Sequence, residues 1–413
     1  MSPLLRKTAA HWGEQAGVAA IGMGRNWFEV PAVQRRINQL VSGDPAIGMY
    51  EWFAKRILAT GQSLPLERSL TLGCGSGELE RGLHRIGFAR QFEGVDIASQ
   101  AVNMAIAALE GLDSADIRYT VSDINRICLP EHAYDVIFCP MSAHHFSELE
   151  RIFKQVHQAL KPGGLFVLNE YIGPNRFQWP PHQTAIIHAL LSSLPERWIK
   201  TSDGGLRRSY RPPTAEEVVA VDPSEAVRSA DILHLLSAEF AITTIKGYGG
   251  NLLHGFFDHI GMNFVEECEE TESMLATLFA IEDWGLRHQV FAHDFALIIA
   301  QRPADVQASP GFYVPGWPDN LHSIYTQFDA SQQAVRWLES VVQDQGKSLM
   351  ARESDIDTWR KQHDASQEAI DWLKSQILQR ESEQAALKSE MQALRQTLSW
   401  RITAPLRALR RLI

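Results

Sequence analysis

The chain has 413 residues, a formal net charge of −10 at neutral pH and 45% aliphatic and aromatic residues. That length exceeds the usual single domain, and that apolar content excludes wholesale disorder. The acidic balance lacks the basic footprint needed to grip a phosphate backbone, which sets nucleic acid aside as a partner. The four cysteines (Cys74, Cys128, Cys139, Cys268) form no C-x-x-C pair, so a reducing compartment is expected and a structural zinc is not. No apolar run approaches the ~18–20 residues that span a bilayer. Residues 1–14 also lack the apolar core of a signal peptide, so a soluble, cytoplasmic protein is expected.

In chain order, residues 1–65 read as helical, with Trp27, Phe28, Val30, Val33, Ile37 and Leu40 spaced as one apolar face. From Ser69 the pattern becomes short apolar runs alternating with helical stretches. The runs are Leu70–Leu72, Phe92–Asp96, Ile117–Val121, Asp135–Cys139 and Leu165–Asn169; Leu79–Ile86, Ser99–Leu109 and Leu149–Leu160 lie between them. Such alternation predicts an α/β fold, a parallel sheet with helices on both faces. An insertion at 174–234 follows, rich in proline near Trp179–Pro181 and Arg211–Pro213, and reads either as a lid over the site or as a docking surface. Two late strands, Ala241–Lys246 and Asp294–Ala300, bracket a helical segment.

Prolines and glycines punctuate residues 303–320, which read as a linker. Beyond it apolar residues recur every seventh position from Phe328 through Leu398, interrupted by His363 and Gln384. The intervening d positions are mixed, Leu338, Trp359, Leu373, Leu387 and Leu394 alternating with polar residues. The segment from Asp329 to Leu338 also recurs at Asp364 to Leu373, an offset of 35 residues and five whole heptads. Residues 321–398 therefore read as a coiled coil that joins copies of the chain into a homo-oligomer. The tail, 399–413, combines Arg401, Arg407, Arg410 and Arg411 with Trp400, Leu406, Leu409 and Leu412, and has no acid. This is the composition of a helix lying on an anionic membrane surface; docking of a basic helix end on a partner is the alternative.

The sharpest local signal is Leu70-Thr71-Leu72-Gly73-Cys74-Gly75-Ser76-Gly77-Glu78-Leu79, a strand, a G-x-G-x-G turn and a helix start. Glycines there let a backbone approach a ligand closely. The next strand ends at Asp96, 23 residues after Gly73, where a nucleoside-binding sheet presents an acid to ribose hydroxyls. The third strand leads to Asp123-Ile124, the fourth to Cys139 and His144-His145, and Lys161-Pro-Gly-Gly164 launches the fifth.

This succession resembles the class I S-adenosylmethionine-dependent methyltransferases over roughly residues 45–302. The resemblance implies a Rossmann-like sheet of seven strands, the last antiparallel, and S-adenosyl-L-methionine as cofactor. Gly73, Cys74, Gly75, Gly77, Asp96, Ile97, Asp123, Ile124 and Cys139 would hold that cofactor. One departure stands out: the family carries an acid two residues before the first glycine, commonly toward the cofactor's amino-acid end, and Thr71 occupies that place. Asn169–Pro174 and Asp222–Ser229 look like methyltransferases of bacterial sugar and cell-surface polysaccharide pathways. Ser399–Arg407 is similar to tails on glycosyltransferases of such pathways. A sugar or glycan hydroxyl is the acceptor this implies, with another small metabolite, or a non-catalytic scaffold, as alternatives.

A hydroxyl acceptor needs a base. Candidates beyond the strand ends are His144, His145, Glu170 and Tyr171, with His254 after the sixth strand. No metal is expected at His144-His145, since no carboxylate cluster stands near them in sequence. Asp222, followed by Pro223, reads as a helix N-cap. The acids from Glu266 to Glu272 read as a solvated surface.

Overall fold

The structure is a computed structural model describing residues 7–9, 11–13, 27–112, 116–302 and scattered positions between 367 and 389. Seven strands run in the order β3-β2-β1-β4-β5-β7-β6. They are β1 (Leu66–Leu72), β2 (Ala89–Asp96), β3 (Ile117–Val121), β4 (Tyr134–Pro140), β5 (Leu160–Tyr171), β6 (Ala241–Gly247) and β7 (Phe295–Gln301). β1 to β5 pair in parallel, and β7 lies antiparallel between β5 and β6. The expected seven-stranded sheet is therefore present. β1 begins four residues earlier than its apolar run, because Leu66 pairs with Ala89 through an otherwise polar start. β5 begins at Leu160, the last residue of the expected helical stretch, and takes in the expected turn at Lys161–Gly164; Leu160 pairs with Tyr134 across a register shift.

Residues alternate across the strands. Val136 and Phe138 face one apolar cluster, while Ile137 and Cys139 face another. The first cluster is covered by α1 (Pro31–Ser42), α2 (Met49–Ala59) and α3 (Glu78–Arg85). α1 has proline in its first turn and ends at Gly43 with φ of 87°, a left-handed cap whose N–H returns to the Gln39 carbonyl. α4 (Ser99–Ala107) connects β2 and β3. The second cluster is covered by α5 (Leu149–Ala159), through Leu149, Ile152, Phe153 and Val156, and by a later helix, through Ile232 and Leu236. Each fully buried Phe or Leu contributes about 1.5–3 kcal/mol, so a sheet covered on both faces accounts for most of the fold's cohesion.

The insertion carries α6 (Pro181–Ser193), α7 (Glu196–Ile199) and α8 (Ala215–Val221), and leads into α9 (Ile232–Glu239). Between β6 and β7 lie α10 (Leu253–Phe257) and α11 (Glu269–Arg287). Glu267 and Glu270 pair at the surface with Arg35 and Arg197, but Glu282 on α11 is wholly buried against Arg36. The strand order reverses at β1, which has β2 on one side and β4 on the other. In such sheets ligands bind beyond the carboxyl ends of the strands at that point.

Residues 316–413 form a separate unit whose described positions between 367 and 389 are helical. The core positions Ile370, Leu373, Ile377 and Leu387 of the expected coiled coil lie outside the described residues, as do the linker and the basic tail. No helix among the described residues is long and apolar enough to cross a membrane.

Candidate active site

The glycine turn grows directly out of β1. Gly73, Gly75 and Gly77 have φ of 77°, 52° and 75°, a region that side chains with a Cβ resist. Two of them also make close packing possible. A Cβ on Gly73 would lie 2.4 Å from the Ser142 Cβ, and one on Gly77 would lie 2.3 Å from the Tyr119 hydroxyl oxygen. At Gly75 a Cβ would meet nothing within 4 Å. The middle of the turn thus fronts open space with its backbone bare.

Asp96 braces this turn. Its Oδ2 accepts from the Gly75 N–H at 2.9 Å and its Oδ1 from the Ala98 N–H at 2.8 Å. Each oxygen retains a second lone pair for a ligand hydroxyl. Burial raises the Asp96 pKa despite these bonds. Asp123 caps a 3₁₀ turn by accepting from the Asn125 N–H at 3.0 Å. Half-buried Ile97 and buried Ile124 flank the same edge. Open space at Gly75, beside the Asp96 carboxylate, fits an adenosyl cofactor. Cys74 and Cys139 are buried and their thiols are pushed up by burial. The Cys139 Sγ lies 3.1 Å from the Ser142 Oγ, an internal contact.

The other half of the site follows β4. Ser142 donates from Oγ to the Leu72 carbonyl at 2.7 Å, tying this loop to the glycine turn. Glu170, at the end of β5 and fully buried, accepts from the N–H groups of Ser142 (3.0 Å), Ala143 (2.5 Å) and Tyr171 (2.7 Å). It also binds the His144 Nδ1. Glu170 is therefore an anchor for the 3₁₀ turn Ala143–His145. The sequence points to it as a base; the structure surrounds it with donors. Tyr171 is likewise committed elsewhere, donating to the Pro174 carbonyl at 2.9 Å. His254, on α10, sits among Phe177, Trp179 and Phe295, and burial pushes it down to about 4.

A loop of the insertion closes over the histidines. The Val227 N–H donates to the His144 carbonyl at 3.0 Å. Glu225 Oε1 then lies 3.6 Å from His144 Nε2, and Asp222 Oδ2 lies 3.6 Å from His145 Nδ1. The Ser224 Oγ is 3.1 Å from that same Nδ1 and donates to the Asp222 carboxylate at 2.9–3.0 Å. Asp222 is thus no helix N-cap: it follows α8, and its carboxylate is 1% exposed. It also accepts from Thr8 Oγ1 (3.1 Å) and Trp12 Nε1 (2.9 Å), so residues near the N-terminus complete this corner.

The two histidines are pushed apart electrostatically. Burial disfavours a charged His144, but Glu170, Glu225 and Asp222 outweigh it and raise its pKa. Burial and then the His144 charge hold His145 well below the usual range, which keeps it neutral. The His145 Nε2 is buried without a hydrogen-bond partner. The expectation that no carboxylates stand near this pair is therefore corrected, because the fold delivers three from distant positions. One ligand atom each from His144, His145 and Glu225 comes within 4.8 Å of the others, close enough to hold a metal ion.

Residues 70–168 match the family described as "Methyltransferase domain". This segment is a methyltransferase domain. Over 130 residues the chain is 25% identical to the uncharacterized methyltransferase YcgJ of Bacillus subtilis, covering 29% of this chain and 51% of that one. Over 171 residues it is 23% identical to the ubiquinone biosynthesis O-methyltransferase of Xanthomonas campestris, covering 41% of this chain and 66% of that one. The chain thus spans about half the length of the first relative and just under two thirds of the second. A crystal structure of an S-adenosylmethionine-dependent methyltransferase from Mesorhizobium loti superposes with a TM-score of 0.35 at 21% identity, covering 61% of this chain and 97% of that one. The methyltransferase domain thus contains the glycine turn, Asp96, Asp123 and both histidines, while Asp222 and Glu225 lie beyond it.

Three candidates received no role from the sequence: Ser224, Glu225 and Glu80. Ser224 and Glu225 lie in the segment Asp222–Ser229, but their partners His145 and His144 are some 80 positions away. Glu80 had a usable signal: three residues before Leu83, it shares the buried face of α3.

Proposed function

We propose that the chain is an S-adenosylmethionine-dependent O-methyltransferase whose acceptor is a hydroxyl of a sugar or glycan intermediate. The observation that carries this reading is the neutral His145, with Asp222 and Ser224 on its Nδ1 side and a free, buried Nε2 on the other. Bound at the glycine turn, the cofactor supplies a methyl group on a sulfonium, ready for in-line displacement. Gly73, Gly75 and Gly77 would receive it along bare backbone, with Asp96 and Ile97 toward the ribose and Asp123 and Ile124 toward the base. His145 then takes the acceptor's hydroxyl proton at Nε2. The Asp222 carboxylate offsets the imidazolium charge that forms, and Ser224 fixes the ring. Groups whose environments push their pKa values apart in this way divide acid and base roles between them.

The sugar class rests on the likeness of Asn169–Pro174 and Asp222–Ser229 to methyltransferases of polysaccharide pathways. Residues 321–398 are read as a homo-oligomerising coiled coil and 399–413 as a contact with anionic lipid on the inner membrane face. The test is turnover of hydroxyl-bearing sugar nucleotides by the full chain, read as S-adenosylhomocysteine release. His145→Ala is expected to lower kcat about 10²–10⁴-fold, the range for a general base, with unchanged S-adenosylhomocysteine affinity. Unchanged kcat would remove His145 from the chemistry.

The proximity of His144, His145 and Glu225 favours a second reading, in which a divalent cation activates the acceptor. Glu170 on the His144 Nδ1 and Asp222 beside the His145 Nδ1 would then orient metal-binding imidazoles. Loss of turnover in EDTA, restored by Mn²⁺ or Zn²⁺, would select this reading over the metal-free base.

A further inference from the structure

α3 starts directly after the glycine turn, and its third residue is Glu80. This side chain is 1% exposed, yet neither carboxylate oxygen has a hydrogen-bond partner. Thr71 on β1 faces it without completing a hydrogen bond, and Asp96 adds a second negative charge nearby. The adjacent Arg81 sends its Nη1 instead to the Ser76 carbonyl, at 2.6 Å. A buried acid and a half-buried one thus converge on one turn, and among the described residues no cation is bonded to either. An unpaired buried carboxylate is costly unless a donor or a cation meets it.

We infer that Glu80 receives the α-ammonium group of S-adenosylmethionine, taking over the task that an acid at position 71 would perform. The inference rests on the cofactor reading above. The cofactor carries two cationic centres, and they differ in what they can offer Glu80. A sulfonium has no N–H, whereas an ammonium has three donors, which match two free carboxylate oxygens and the Thr71 hydroxyl. The geometry also explains why Thr71 is tolerated. The carboxylate enters the same corner from the helix instead of the strand, and a second acid at position 71 would add like charge to a pocket that already holds Glu80 and Asp96.

Burial, outweighing Thr71 and Arg81, raises the Glu80 pKa to about 7. An arriving ammonium favours the ionised carboxylate, so cofactor binding near neutral pH is expected to expel a proton from Glu80.

The test is calorimetry on the full chain with S-adenosylhomocysteine and with 5′-methylthioadenosine, which keeps the nucleoside and thioether but has no amino-acid group. Buffers of different ionisation enthalpy count the protons released. Glu80→Gln is expected to weaken S-adenosylhomocysteine roughly ten-fold or more, as loss of a charged hydrogen-bonding partner does, and to leave 5′-methylthioadenosine unchanged. Proton release at pH 7 should vanish in this variant. The transposed pair Thr71→Asp with Glu80→Ser should regain S-adenosylhomocysteine affinity that Glu80→Ser alone loses. Equal weakening of both ligands would make Glu80 a support for the turn and overturn the inference, as would wild-type affinity in Glu80→Gln. If the wild type bound neither ligand, the cofactor reading itself would fall.

Discussion

Individual side chains divide the work at this site by their surroundings more than by their type. His144 and His145 are neighbours with ring centroids 4.1 Å apart, yet their pKa values move in opposite directions. The charge on His144 is one of the causes that depress His145. Replacing it, in His144→Gln, removes a positive neighbour and makes His145 easier to protonate. A base that protonates more easily is lost at higher pH, so the acid limb of the kcat–pH profile should move upward; a limb that stays put would separate the two rings functionally. The strand-end positions of Gly73, Asp96 and Asp123, proposed above to receive the cofactor, were legible in sequence, because such residues cluster around strand ends in a fixed order. The surroundings of His145 were not, because Asp222 and Ser224 reach it only by the path of the insertion.

Among the elements, α8 matters out of proportion to its seven residues, since it delivers Asp222 to the site. Its start is fixed by a capping box: the Glu217 N–H donates to Thr214 Oγ1 at 3.2 Å, and the Thr214 N–H donates to the Glu217 carboxylate at 2.8 Å. Thr214→Ala should cost about 1 kcal/mol of helix stability. Faster amide hydrogen exchange across residues 215–221, with the strands of the sheet unaffected, would register it. Strand and helix types along the sheet were readable from periodicity. The edges were less so: β1 starts with Leu66-Glu67-Arg68, where pairing to β2 overrides a polar pattern. The helices of the insertion were harder still, since prolines around them signal breaks and the packing that holds α6, through Ile187 and Leu191, is tertiary.

Across the whole molecule, buried acids make stability depend on pH. Burial raises Asp294 to about 7, although Trp179 and Gln183 donate to it. The folded protein therefore retains a proton that the unfolded chain gives up near pH 4. Stability from this group is complete below that pH and is lost as pH rises through about 7, on the order of 4 kcal/mol in all as an upper bound. Asp294→Asn keeps an oxygen for Trp179 but cannot ionise. Its melting temperature relative to wild type should climb steadily from pH 4 to pH 8, and a flat difference would refute the assignment.

The antiparallel placement of β7 has a consequence for the growing polypeptide. β6 is translated more than fifty residues before the strand it pairs with, since β7 begins at Phe295. Until the ribosome has delivered Phe295–Gln301, β5 displays a bare edge and β6 has no slot in the sheet. Unpaired edges of this kind invite pairing with other nascent chains. The interval between those two strands is therefore one in which the nascent chain exposes strand edges that the finished sheet covers.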